Sequence, residues 1–253
     1  MKIGITERGD AGVNLAWTSK MNQVDGAVLI TKNITESFKE YVLAWHNAGH
    51  KIIVHCTCTG YGNTELEPNV PHYKVQLDSL KDLIDRGFPA NQCILRIDPI
   101  FPSERGINKV HEVLTYFGSL LTGVERIRVS VVDEYPHVRE RYRQRGWNPL
   151  YGGKFQANDS QLQLVIDNLA MYPQHYEVCA ENRMYQLAVG KYPYLFEVCG
   201  CISNKDLEIL GLPIHAMSIN PQNRGGCHCL SCKTELLMER KPCPHGCVYC
   251  FWK

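Results

Sequence analysis

A chain of 253 residues with 27 Lys+Arg against 26 Asp+Glu and 44% apolar residues is long enough for one large α/β domain, and barrels of this size are routine. The formal net charge of +1 excludes a general phosphate-coating electrostatic footprint, while a local basic patch stays open. Met1 to Arg8 lacks the apolar stretch of a secretory signal, and no run approaches the roughly 18 apolar residues of a membrane span. A cytoplasmic protein with no membrane partner is therefore expected.

Short β-branched runs alternate with helical patterns along the chain. Lys2 to Thr6 and Ala27 to Thr31 read as strands, after which Phe38, Val42 and Trp45 share a helix face that ends before Gly49. Lys51 to Cys56 is the next strand, and Leu77, Leu80 and Ile84 share a helix face before Gly87. Cys93 to Asp98 follows, ended by Pro99, and then Ile107, Val110, Leu114, Phe117 and Leu121 form a third face before Gly123. Arg126 to Val132, His175 to Cys179 and Leu195 to Cys199 complete the strands. Each of the three glycines stands where a C-terminal helix cap is expected.

This alternation predicts an α/β fold with a parallel sheet and helical crossovers, as a full or partial (β/α) TIM-like barrel; a doubly wound sheet is the alternative. No repeat or low-complexity tract divides the chain, so residues 1–253 are expected to form a single barrel domain. From about Pro213 the pattern gives way to residues rich in Gly, Pro and Cys, and 213–253 reads as an irregular, ligand-stabilised cysteine-rich cap. Polar residues occupy the strand ends. Arg96 and Asp98 share a face with Ile94, Ser130 and Asp133 come late in their strand, and Glu181 follows His175 to Cys179. Functional groups of barrels gather at such ends. Arg96 and Asp98 are either catalytic or an ion pair across the mouth, and Arg128 reads as a solvent-facing alternate residue.

Of the 12 cysteines, nine lie from Cys179 onward and six between Cys227 and Cys250. In a reducing compartment such density points first to a metal or iron-sulfur site and only then to disulfides. In Cys243-Pro244-His245-Gly246-Cys247-Val248-Tyr249-Cys250, one loop carries three thiols at C-x3-C-x2-C. It can wrap three corners of an iron-sulfur cube and leave one iron open, with Gly246 easing the turn. Structural zinc, which takes four closed ligands, is the competing reading. Cys227-His228-Cys229-Leu230-Ser231-Cys232, with Cys179, Cys199 and Cys201, has enough thiols for a second site. Cys56, Cys58 and Cys93 read as small buried apolar residues. His228 and His245 are either loop residues or outer donors to sulfur.

At Cys243 to Cys250 the chain resembles the radical S-adenosylmethionine superfamily, whose motif has this spacing and this aromatic. The resemblance implies a 4Fe-4S cluster on Cys243, Cys247 and Cys250, with S-adenosylmethionine on the open iron. One electron, from a donor such as flavodoxin or ferredoxin, would cleave the cofactor to a 5'-deoxyadenosyl radical that abstracts hydrogen from the substrate. In most of that superfamily the motif follows the first strand, whereas here it lies at the far end. A circularly permuted order is therefore expected, with Ile214 to Ile219 as the preceding strand abutting Lys2 to Thr6. The chain also resembles a bacterial and phage family known only as a domain of unknown function. Thr31-Lys32-Asn33, Thr59-Gly60-Tyr61-Gly62, Glu67-Pro68-Asn69-Val70-Pro71, Arg96-Ile97-Asp98-Pro99-Ile100 and the C-terminal cysteines carry that likeness. Its pattern implies a second, auxiliary 4Fe-4S cluster on Cys179, Cys201, Cys227 and Cys229, with Cys199 and Cys232 as extras.

Arg96 and Asp98 are thus the candidate catalytic residues, and Thr31, Lys32, Gly60, Tyr61, Ser130, Glu181 and Tyr249 the candidate cofactor contacts. The Gly60-Tyr61-Gly62 turn either approaches the cofactor or merely turns the chain. The substrate is open; the phage associations of the family bring a nucleobase, nucleotide or nucleic acid into range. The alternative function is a non-catalytic zinc or iron-sulfur module that docks nucleic acid or protein. It would use Arg139, Arg141, Arg143 and Arg145 beside Tyr142 and Trp147, although that row reads equally as a solvated helix.

Overall fold

The computed structural model describes residues 1–214, 227–237 and 243–252. All seven expected strands are present, as β1 (Ile3–Ile5), β2 (Gly26–Thr31), β3 (Ile52–Thr57), β4 (Cys93–Ile100), β5 (Arg126–Val131), β6 (Tyr176–Cys179) and β7 (Phe196–Cys199). An eighth, β8 (Lys233–Glu235), follows the cysteine group that starts at Cys227. Every pairing is parallel, and the order β7-β6-β5-β4-β3-β2-β1-β8 forms one curled half-barrel. A doubly wound sheet reverses its order at an internal switch point. Here the order runs without reversal from β1 to β7, and β8 takes the other side of β1. The Ile214 to Ile219 strand falls, from residue 215 on, outside the described residues, and the place beside β1 is held by Lys233–Glu235 instead.

Parallel neighbours need crossovers, which the helices supply: α1 (Glu36–Asn47), α2 (Tyr73–Asp85), α3 (Glu104–Leu120), α4 (Pro136–Arg143), α5 (Asp159–Leu169), α6 (Asn182–Lys191) and α7 (Asn204–Ile209). Thr35, Ser103, Asn158 and Ser203 cap four of them through side-chain oxygens, each satisfying an otherwise orphaned N–H. The helices α1 and α2 end in left-handed Gly49 and Gly87, and His50 and Phe88 donate back to the carbonyls of Trp45 and Leu83, the Schellman arrangement. Gly123 plays no such part. The helix α3 stops at Leu121, whose N–H bonds the Phe117 carbonyl, and Gly123 is not left-handed.

The helices α1, α2, α3, α5 and α6 cover the convex side. Phe38, Val42, Leu77, Leu80, Val110, Leu114 and Phe117 pack on alternate strand residues Leu29, Val54, Cys56, Leu95 and Val129. Each such side chain contributes about 1.5–3 kcal/mol on burial. The other alternate set, Ile3, Ile5, Val28, Ile30, Ile53 and Ile94, faces the concave side. It is roofed by Ile202, Leu207 and Leu210 and by Cys229, Leu230 and Cys232. Both faces are therefore covered, which is why β2, β3 and β5 are buried at every residue. The strand β4 also passes through Pro99. Its register shifts between Ile97 and Ile100, and Ile100 regains pairing with Val131, so Pro99 does not end it. Among the described residues, no helix is long and apolar enough to cross a membrane.

Towards β7 the concave face turns polar. Arg96, Arg128, Glu177 and Glu197 fall on one row of the register. Arg128 is 0% exposed, not solvent-facing, because the roof over the concave side buries the inward alternates that an uncovered strand would show to water. Its guanidinium donates to Glu177 at 2.6 and 2.9 Å, to Asp206 at 3.4 Å and to the Cys201 carbonyl at 3.2 Å. Arg126 adds bonds to Glu177 and, at 2.8 Å, to Asp206. Burial pushes the Glu177 carboxyl up, but Arg128 and Arg126 outweigh it and hold it down at about 2. Removing one partner of a buried pair strands the other charge, at a typical cost of ~3–5 kcal/mol. Arg128→Met is accordingly expected to lower urea-unfolding stability by about that amount. Arg143→Met, at an exposed site, is expected to stay within about 0.5 kcal/mol.

Candidate functional site

The C-terminal cysteine loop lies over the carboxyl ends of the strands. Cys247, Val248 and Tyr249 pack with Tyr61 after β3, Phe101 after β4 and Val132 after β5. The loop is fastened at several points. Asn69 donates through Nδ2 to the Pro244 carbonyl at 2.7 Å and through its backbone N–H to the His245 carbonyl at 3.2 Å. The Val248 N–H bonds the Leu66 carbonyl at 3.0 Å, and Arg141 bonds the Cys250 carbonyl. His245 is buried, its two ring nitrogens 2.9 Å from Asp10 and 3.1 Å from the Asn69 carbonyl.

Two buried carboxylates organise this floor. Glu67, fully buried, accepts from Lys32 Nζ at 2.9 Å, Thr59 Oγ1 at 2.7 Å and the Tyr249 hydroxyl. Asp10 accepts from Thr31 Oγ1 and the Lys32 N–H, both at 2.6 Å, and faces His245. Lys32 also stands over the Tyr249 ring, 5.6 Å from its centroid. Burial pushes the Cys247 thiol up to about 12, with Lys32 opposing that rise and the neighbouring Cys243 and Cys250 adding to it. Three thiols so placed, with Lys32 beside Cys247 and Arg141 beside Cys250, form a donor set that a thiophilic metal would deprotonate. None of the three is in a disulfide.

The second thiol group sits on the concave side under β1, β6 and β7. Cys179 and Cys201 are 3.7 Å apart at sulfur, and the Cys201 N–H points at the Cys229 sulfur at 3.1 Å. A hydrogen bond between Cys227 and Cys229 holds the Cys227 thiol down at about 7. Cys179, Cys201, Cys227 and Cys229 thus form a continuous row, with Cys199 bonded to Cys179 at its edge. Gly200 makes the row possible. A Cβ there would lie 2.6 Å from the Cys229 backbone nitrogen, so only glycine lets the two segments touch. Glu7, at the end of β1, completes the group: its carboxylate and the Cys201 and Cys229 sulfurs lie within 4.8 Å of one another. Burial first, and then Cys201, raise the Glu7 carboxyl to about 7, against the pull of Lys233 at 2.8 Å.

Arg96 and Asp98 span the two groups. They are ion-paired, Ser130 donates to Asp98, and Arg96 Nη2 approaches the Cys201 sulfur at 3.9 Å. Asp98 in turn acts electrostatically on Lys32 and Tyr249. Thr31, Lys32 and Tyr249 are therefore gathered with Cys243, Cys247 and Cys250, while Ser130 joins the bridge. Gly60, left-handed, abuts Lys109 of α3, and Tyr61 stacks edge-on against Phe101 with centroids 5.1 Å apart. Glu181 is buried at the start of α6 near Tyr151. His228 reaches Asn182 at 2.9 Å. In the basic row, Arg141 is bound to the cysteine loop, Arg139 lies near Glu134 and the Lys154 carbonyl, and Arg143 pairs with Glu140.

Sequence reasoning passed over Glu7 and Asp10 and used Glu67 and Asn69 only as part of a motif. The signal was present for Glu7, which continues the Ile3, Ile5 alternation one step beyond the strand. A family model described as a domain of unknown function, DUF1848, matches residues 13–252. The chain belongs to the DUF1848 family. No curated protein and no solved structure matches it. Both thiol groups lie within the span matched to DUF1848, whereas Glu7 and Asp10 precede it.

Because the atom facing Gly200 is backbone, Gly200→Ala should displace the Cys227–Cys229 segment. A stability loss of ~1–3 kcal/mol in urea is expected, with faster thiol labelling of Cys201 and Cys229. Asn69→Ala removes the side-chain bond to Pro244. Amide exchange across residues 243–250 is expected to quicken, which hydrogen-exchange mass spectrometry can read against an unchanged β3.

Proposed function

We propose that this chain is a radical S-adenosylmethionine enzyme in circularly permuted order, with Cys243, Cys247 and Cys250 holding a 4Fe-4S cluster. The observation that carries this reading is the placement of the C-x3-C-x2-C loop over the carboxyl ends of a parallel half-barrel, downstream of a strand that pairs with β1. Taken from β8 through β1 to β7, the sheet is in sequential order, and the cysteine loop then follows the first strand. The donor set fits the cluster. Three free thiols come from one fastened loop, and Lys32 offsets thiolate charge beside Cys247.

The cluster and S-adenosylmethionine, when bound, would supply one-electron cleavage of the sulfonium and a 5'-deoxyadenosyl radical for hydrogen abstraction. The protein's own part is positioning and shielding. Tyr249, Phe101 and Tyr61 form an apolar floor that excludes water, while Glu67 and Asp10 hold Lys32 and His245 in fixed places. The Arg96–Asp98 pair, with Ser130, is the candidate for orienting polar groups between the thiol sites. In support, His55 Nδ1, Thr57 Oγ1 and Arg96 Nε are buried with no hydrogen-bond partner among the described residues. Such atoms ordinarily find one in water or ligand.

Oxygen-free reconstitution should load about four irons at the C-terminal loop, and dithionite with S-adenosylmethionine should yield 5'-deoxyadenosine, with reduced flavodoxin or ferredoxin able to replace dithionite. The triple variant C243A/C247A/C250A is expected to lose that product. Undiminished 5'-deoxyadenosine from the triple variant would defeat the proposal. A colourless loop site replete with zinc would instead favour a non-catalytic metal module.

A further inference from the structure

We infer that Glu7 is a metal ligand, and that Glu7, Cys201 and Cys229 together bind a single thiophilic divalent cation, zinc or ferrous iron, at the concave site. This stands apart from the reading of the C-terminal loop and departs from the four-cysteine iron-sulfur set that resemblance implies. Nothing in the cysteine pattern points to residue 7.

Three observations carry it. First, the Glu7 carboxylate oxygen and the two sulfurs are mutually within 4.8 Å. Donors about 2.0–2.3 Å from a shared ion lie roughly 3.5–3.8 Å apart, so the set closes on an ion by a contraction of roughly 1 Å. The Cys179 and Cys201 sulfurs are already 3.7 Å apart, which suits adjacent ligands of one ion. A cube attaches each thiolate to a different iron and holds the sulfurs farther apart. Cys179 and Cys227 stand on either side of the three donors as sources of the remaining ligand.

Second, the surroundings are built for an anionic ligand shell. Lys233 Nζ is 2.8 Å from Glu7 Oε2, Arg96 Nη2 is 3.9 Å from the Cys201 sulfur, and the Cys201 N–H points at the Cys229 sulfur. A carboxylate and several thiolates around one divalent ion carry surplus negative charge. Lys233 offsets it beside Glu7 and Arg96 beside Cys201, and an N–H donor to sulfur is a usual outer partner of a metal thiolate.

Third, the ligands are fastened by hydrogen bonds from several separate elements. The Glu235 carboxylate accepts the backbone N–H groups of Glu7 and Arg8 at 3.1 and 3.2 Å. Arg128 holds the Cys201 carbonyl, Asp206 accepts the Ser203 N–H at 2.7 Å, and Gly200 admits Cys229. Glu7 thereby ties the first strand to the roof of the half-barrel.

The test uses the C243A/C247A/C250A chain, which removes the C-terminal site, so that failure here and failure of the proposed enzyme activity are read separately. Cobalt(II) is titrated anaerobically and followed by its sulfur-to-cobalt and ligand-field absorption, and zinc affinity is measured against a chelating dye. We expect one cobalt per chain in a tetrahedral thiolate spectrum, with Glu7→Gln weakening zinc binding by at least about tenfold. Lys233→Met, which removes the ion pair and keeps the carboxylate, should weaken it less. Glu7→Cys should retain binding and strengthen the sulfur charge-transfer band, an effect only a residue touching the ion can have. Unchanged affinity in Glu7→Gln, or an unchanged charge-transfer band in Glu7→Cys, would overturn the inference. So would a reconstituted site of about four irons with sulfide that Glu7→Gln leaves intact.

Discussion

The contact on which the rest depends is the buried arrangement of Arg128 with Glu177 and Asp206. An open half-barrel has two faces, and the helices α1, α2, α3, α5 and α6 cover the convex one. The concave face needs a roof, and the roof here is α7 with the loop from Cys199 to Ser203 and the segment from Cys227 to Cys232. These segments are short and poor in large apolar side chains, so hydrophobic contact alone fastens them weakly. Arg128 supplies a directional fastening instead. One guanidinium fork meets a sheet carboxylate, a helix carboxylate and the Cys201 carbonyl. In the dry interior such bonds are strong only while all partners remain, so α7, β6 and the Cys201 segment after β7 hold or loosen together.

The same residue type behaves differently on the two sides of this sheet. Cys56, Cys58 and Cys93 lie in the convex core, where burial is the leading influence on each and pushes its thiol up, to about 12 for Cys56. They are packing residues. On the concave side and at the mouth, the thiols share their space with Lys32, Arg96, Arg128 and Lys233, each of which is held above its ordinary pKa in part by neighbouring thiols. Lys32 also acts on Cys56 and Cys58, so what sets the concave thiols apart is their contact with one another and with Arg96. Burial alone does not set them apart, since Cys201 and Cys229 are as buried as Cys56.

This also explains what could be read from the sequence. Strand positions are governed by β-branched runs and helix faces by apolar spacing, both local properties; the strands were legible from Lys2 to Cys199 and the helix faces from Phe38 to Leu121, whereas α5 and α6 were not anticipated. The clustering of the late cysteines was legible too, because spacing within one loop is local. What was hidden depends on the roof. Arg128 looks like an outward alternate until the concave side is known to be closed, and Glu7 looks like the solvated end of a strand until Cys201 and Cys229 are brought over it. Asp10 and Glu67 were hidden for a similar reason. Each is an unremarkable turn carboxylate in sequence, and each acquires its role from Lys32, His245 and Tyr249, which meet it across wide separations in the chain.

The pairing of β8 with β1 decides where the cysteine loop starts from. A strand of only three residues, Lys233–Glu235, contributes little burial of its own, and its three positions are only half-buried. Its value is in position. By extending the sheet on the free side of β1, it delivers the chain to the carboxyl ends of β2 to β5, where Asn69, Glu67, Asp10 and Arg141 receive the loop. It also places Lys233 against Glu7 and Glu235 under the turn that follows β1. One short strand thereby sets the register of both thiol groups. The position of a motif along a chain matters less than the strand end at which the chain delivers it.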